Sequence, residues 1–161
     1  MTDSFVVRKA TDDHVDACLD IVRGLPDHFT PDVPDTVRVD LSRHDSWVVA
    51  DGDDVVGFAV VDRRSAVAAE ILWVAVTADR RGQGAGTLLI DAVLDRLTAE
   101  GLRVVEVKTL DRSAGYEPYV ATLAFWEGAG FIQIDTIDPL PGWQPGNPSA
   151  IYVLPLPRRQ D

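Results

Sequence analysis

Three glycines at alternate positions, Gly82, Gly84 and Gly86, follow the arginine pair Arg80 and Arg81. Leu88, Leu89, Ala92, Val93 and Leu97 then recur at helical spacing. A helix that opens on bare glycines presents unpaired N–H groups and the positive end of its dipole, which together suit phosphate oxygens. A tight turn alone would use the same residues. The stretch is not a P-loop, because no Lys follows the last glycine, and it is not GxGxxG, because the third glycine would fall on Thr87. What stands is Arg81-x-x-Gly84-x-Gly86.

Glu70 is the first glutamate in the chain and heads the apolar run Ile71 to Val76. A carboxylate at the start of a buried strand is a candidate for acid–base work. A solvated strand-edge carboxylate is the plainer reading. Strict alternation sets Glu70 on the strand face of Leu72, Val74 and Val76. His14, His28 and His44 lack metal-ligand spacing, so no metal is expected. Cys18 is the single cysteine, lies in an apolar helical stripe and reads as a core residue.

The 161 residues suit one domain, with 46% apolar and 25% charged side chains. No apolar run approaches the roughly 20 residues that span a bilayer, and Met1 to Ala10 lacks the apolar centre of a secretory signal, so a cytoplasmic protein is expected. A formal charge of −11 argues against nucleic acid or an anionic membrane as partner. Such a charge serves solubility, and it also suits a cationic partner. Screening over roughly 10 Å leaves a local cluster such as Arg80 and Arg81 free to hold an anion against the global sign.

These residues need strands and helices to position them. Phe5 to Arg8 reads as a strand, and Thr11 as the cap of a helix through Val15, Cys18, Leu19 and Val22. Asp27 to Asp45 reads as a loop with one short helix near Asp35 to Ser42. Ser46 to Asp51 and Asp54 to Asp62 form a hairpin across Gly52-Asp53, and Val67 to Val76 adds the next strand. The helix from Gly84 to Glu100 stops at Gly101, and Arg103 to Thr109 returns as a strand parallel to the one before. A helix from Val120 to Ala129 and strands at Phe131 to Ile137 and Ala150 to Leu154 complete the chain. The loop between those strands carries Trp143 and Asn147.

Together these features resemble the GNAT N-acetyltransferase superfamily. The glycine pattern between strand and helix is similar to that family's acyl-CoA loop, and YVATLAFWEGAGF from Tyr119 to Phe131 to its later helix and strand. VKTL from Val107 to Leu110, with Trp143 and Asn147-Pro148, resembles a bacterial subgroup whose acceptors are mostly unassigned. The likeness runs from about Phe5 to Leu156. It implies an α/β fold of the α+β kind: a mixed, mostly antiparallel sheet of six to seven strands with about four helices, the acyl-CoA N-acyltransferase fold.

The resemblance further implies a strand that splays from its neighbour after Glu70, leaving the Val74 and Val76 backbone to hold pantetheine. The Val74 N–H then faces the developing oxyanion, an effect worth roughly 3 kcal/mol per donor. Arg81, Gly82, Gln83, Gly84, Ala85, Gly86 and Thr87 would hold the pyrophosphate, with Phe125 and Trp126 beside the coenzyme. AEILWVAV resembles the strand of members that acetylate protein lysines, where a Glu at this position is the base. Many relatives place a Tyr where Phe125-Trp126 stands here, and an indole is no acid near pH 7. Tyr119 or Tyr116 would have to protonate the leaving thiolate instead. Lys108 reads as structural, and Trp143 and Asn147 as acceptor-pocket candidates.

The implied activity is acetyl transfer from acetyl-CoA to a primary amine by direct attack in a ternary complex. Paired subunits are common in the superfamily, so a homodimer is an open expectation. Two rivals are a non-catalytic acyl-CoA-sensing module of the same fold and a nucleotide-binding regulatory domain.

Overall fold

The computed structural model describes residues 4–158. Met1 to Asp3 and Arg159 to Asp161, which the single-domain expectation includes, lie outside them. Seven strands form one sheet in the order β1-β2-β3-β4-β5-β7-β6. They are β1 (Phe5–Lys9), β2 (Asp45–Asp51), β3 (Asp54–Arg63), β4 (Ala68–Val76), β5 (Val104–Leu110), β6 (Ile132–Ile137) and β7 (Ser149–Pro155). Among the described residues only β4 and β5 pair in parallel, joined by a helix that crosses between them.

Four helices cover the two faces: α1 (Val15–Arg23), α2 (Val33–Arg43), α3 (Ala85–Ala99) and α4 (Val120–Gly128). On one side α3 and α4 pack Leu89, Ile90, Val93, Leu97, Leu123 and Trp126 against Ala59, Val61, Ile71 and Val105. On the other, Cys18, Leu19 and Val22 of α1 and Val37 of α2 meet Val48, Phe58, Val60 and Ala75. Alternation along the strands feeds both cores at once. Burial pushes the Cys18 thiol up to about 12, which leaves it a core residue.

Local chemistry sets several boundaries. The helix expected from Thr11 opens as one 3-10 turn, Asp12–His14, before α1, with the Thr11 N–H donating to His14 Nδ1 at 3.0 Å. The helix expected near Asp35 to Ser42 runs from Val33 to Arg43. Pro34 stands in its first turn, where a missing N–H breaks no bond, so it starts the helix instead of ending it. Between β5 and α4 the chain makes two short 3-10 turns, Arg112–Ala114 and Glu117–Tyr119.

Asp111 anchors the end of β5 to β6. Its buried carboxylate accepts from Ser113 N–H (3.0 Å), Ser113 Oγ (2.6 Å), Gln133 Nε2 (2.7 Å) and Thr136 Oγ1 (3.1 Å). Burial alone would raise its pKa, but these donors overcome that and hold it at about 2.

Candidate active site

The β4–β5 ladder is short. Its pairs run from Ala68 with Val104 to Ile71 with Val107 and stop there, so the two strands part while β4 continues to Val76 and β5 to Leu110. On its other edge β4 pairs with β3 from Ala69 as far as Val76. Just past the strand, Thr77 N–H donates to Val56 O at 2.8 Å. In an antiparallel ladder the bonded residues alternate, so Ala75 and Trp73 turn their backbone groups to β3, while Val74 and Val76 turn theirs to the gap. A wedge results, lined by peptide groups that have no partner strand among the described residues. Its mouth is where α3 begins.

At that mouth Gly82 and Gly84 adopt φ of 74° and 88°, a region closed to most side chains. Gly84 is the residue just before α3, and Leu88 N–H is the first to turn inward, onto Gly84 O at 3.0 Å. The N–H groups of Ala85, Gly86 and Thr87 therefore have no partner within the helix. Gly86 sits against Phe125 and Val76: a methyl built there would meet Phe125 Cε2 at 3.5 Å and Val76 Cγ2 at 3.6 Å. Phe125 thus borders the junction of wedge and loop. Trp126, 2% exposed, packs edge-on against both Phe125 and Phe131.

The two arginines of the loop differ. Arg80 lies 3.5 Å from Asp51 Oδ2 and 3.6 Å from Asp79 Oδ2, and its Nε is buried with no hydrogen bond. Arg81 is exposed and makes no ion pair among the described residues. Gln83 turns back, its Nε2 donating to Asp79 O at 3.2 Å.

Glu70 stands one residue before the fork, paired with Glu106 on β5 and Asp62 on β3. Expected on the face of Val74 and Val76, it lies on the opposite one. The register against β3 steps from Val60 with Trp73 to Val61 with Ile71, so Leu72 is an extra residue that bulges from the ladder. A bulge reverses the faces beyond it. Ile71, Val74 and Val76 consequently join the core under α3, while Glu70, with Trp73 and Ala75, faces α1 and α2.

The Glu70 side chain is 7% exposed. Oε1 accepts from Arg64 at 2.9 Å and Lys108 at 3.3 Å, and Oε2 has no hydrogen-bond partner among the described residues. Burial pushes its pKa up, and the Glu106 charge adds to this, while Lys108 and Arg64 pull the other way.

The tyrosines are held by backbone. Tyr119 Oη donates to His28 O at 2.9 Å and Tyr116 Oη to Asp27 O at 2.8 Å, while His28 Nε2 meets Pro118 O at 2.9 Å. Rings continue the bridge, with His28 5.2 Å from Tyr119, and Phe29 6.1 Å from Trp73 on β4. Trp73 Nε1 in turn donates to Asp40 Oδ2 of α2 at 2.7 Å. An aromatic arch therefore ties the α1–α2 loop to the start of α4 and to β4. Trp143 is half-buried and Asn147 exposed, both in the β6–β7 loop, with no hydrogen bond to β4 among the described residues.

The sequence profile of the Acetyltransferase (GNAT) family matches residues 15–136. The chain belongs to this family. No curated protein matches it. Among solved structures, a GNAT-family protein of Desulfovibrio desulfuricans superposes with a TM-score of 0.81 at 21% identity, covering 94% of this chain and 98% of that one. The ribosomal-protein-S18-alanine N-acetyltransferase of Escherichia coli gives 0.77 at 17%, covering 98% and 97%. A GNAT acetyltransferase of Elizabethkingia anophelis with acetyl-CoA bound gives 0.73 at 15%, covering 96% and 99%. At these identities the likeness speaks for the fold, and the seven-strand mixed sheet with four helices is the GNAT one.

Within this GNAT chain, sequence reasoning missed Arg64, Glu106 and Asp40. Each gains its place from a pairing across strands or helices that no local pattern announces. His28 is likewise joined to Tyr119 over 91 residues of chain.

Proposed function

We propose that this GNAT-family chain transfers the acetyl group of acetyl-CoA to a primary amine, by direct attack while both substrates are bound. The observation that carries the reading is the wedge after Ile71 and Val107, whose Val74 and Val76 peptide groups have no partner strand on the open side among the described residues. An extended chain bearing amides can bond there as a further strand would. The pyrophosphate then meets the N–H groups of Ala85, Gly86 and Thr87, with Arg81 supplying charge. Coenzyme-bound relatives of the same fold support this. The bound thioester supplies the activated acyl carbon, and every other contribution comes from the chain.

The Val74 N–H is directed to where negative charge gathers on the thioester oxygen during attack. Glu70 takes the amine proton at Oε2. Val74 lies four residue steps along the strand, roughly 13 Å if fully extended and less across the bulge, so the proton passes through intervening water rather than by direct contact with the backbone site. No acetylated side chain is part of this scheme.

One observation favours a second reading, the non-catalytic acyl-CoA-sensing module. The hydroxyls of Tyr116 and Tyr119 are both engaged by carbonyl oxygens, and α4 offers Phe125 and Trp126 in place of an acid. A thiol-release assay with acetyl-CoA over a panel of polyamines, aminoglycosides, amino-terminal peptides and lysine peptides separates the two. An enzyme releases thiol with at least one class. A sensor binds acetyl-CoA and releases none.

A further inference from the structure

Beyond the general base stands the question of what keeps the carboxylate of a side chain with 7% exposure basic and correctly aimed. We infer that Lys108 and Arg64 are positioning residues for Glu70: both hold Oε1, so the carboxylate stays ionised and Oε2 is the one oxygen left for the acceptor's proton. The inference rests on the base reading given above.

The geometry is uneven in a telling way. Arg64, from the β3–β4 turn, and Lys108, from β5 just past the fork, approach the same oxygen at 2.9 and 3.3 Å. A pair placed only to neutralise a buried charge would gain by sharing both oxygens. Here the second oxygen is bare. Other charged groups face the site from each neighbouring strand. Asp62 on β3 lies 3.6 Å from Arg64 and is itself 3.6 Å from His44 Nδ1, at the end of α2. Glu106 on β5 lies 3.6 Å from Lys108 Nζ. From α2, Asp40 is occupied by Trp73.

The two cations are therefore shared with flanking carboxylates, which limits how far either can acidify Glu70. Lys108 is 25% exposed and Arg64 53%, so solvent screens the arginine more and the lysine dominates. The arrangement lets Glu70 be charged at neutral pH while remaining a better base than a free carboxylate. Loss of Lys108 tips the balance toward burial, and Glu70 holds its proton to higher pH.

The test is a carbon-detected NMR titration of the Glu70 carboxyl in the full chain without ligands, assigned by its absence in Glu70→Gln. Lys108→Met is expected to move the midpoint up by about one pH unit, Arg64→Gln by less, and Glu106→Gln to move it down, with Lys108→Arg restoring it. With the amine found by the thiol-release screen, the acid limb of turnover moves in the same order. That is about a tenfold loss below the limb for Lys108→Met and no loss well above it. A Glu70 midpoint unchanged in both Lys108→Met and Arg64→Gln overturns the inference, as does an acid limb that stays put while the midpoint moves. Full turnover in Glu70→Gln overturns the base reading itself, whatever the titration gives.

Discussion

The Tyr119 hydroxyl donates to the His28 carbonyl at 2.9 Å, joining the start of α4 to the loop before α2. Burial pushes this phenol's pKa up, and Tyr116 adds to the effect, so its proton is held firmly at neutral pH. Tyr119→Phe should lower stability by about 1 kcal/mol through one lost hydrogen bond. Turnover should fall less than tenfold if the residue serves the arch. A loss of a hundredfold or more at unchanged stability would make it the acid, the scale general acids contribute. Urea denaturation and thiol release, run on the same preparation, decide between them.

Gly84 and Gly86 should respond in opposite ways to one added methyl. Gly84 is held at φ 88°, where alanine is disfavoured by about 1–2 kcal/mol, and Gly84→Ala should both melt earlier and bind acetyl-CoA more weakly. Gly86 lies inside α3 with only ordinary contacts awaiting the methyl. Gly86→Ala should melt at the same temperature or higher, since helical Gly is about 0.5–1 kcal/mol less favourable than Ala. Thermal melts of the two variants side by side check the order.

Asp111 gives the fold a defined acid sensitivity. Its carboxyl titrates near 3.8 when unfolded and about 2 when folded, so its stabilising contribution is complete above the first value and lost as pH falls through the second. Asp111→Asn should be less stable than the parent at neutral pH, with a shallower stability slope between about pH 4 and 2. Denaturation midpoints collected across that range are the measurement. Equal slopes would place the acid sensitivity elsewhere.

The glycine turn before α3 was legible because Arg81, Gly82, Gly84 and Gly86 fall within six residues and their chemistry is local: φ above zero at Gly82 and Gly84 follows from glycine itself. Leu72 was not, because a bulge depends on how β4 meets β3, and that single extra residue moved Glu70 to the face of α1 and α2. The start of α2 at Val33 was not legible either, because Pro34 lies in the stretch expected as loop while its place in the first turn is what lets the helix begin there. The links of His28 to Tyr119 and of Arg64 and Lys108 to Glu70 belong to tertiary structure alone.

The most direct measurement is calorimetric titration of the folded chain with acetyl-CoA, alongside Arg81→Ala and Arg80→Ala. The wedge and loop predict saturable binding at one site per chain. Arg81→Ala, whose guanidinium has no ion pair among the described residues, should weaken it about tenfold and more than Arg80→Ala, as expected for one lost charge-assisted hydrogen bond. Absence of heat with acetyl-CoA or CoA, from protein whose melting transition is intact, would contradict the account.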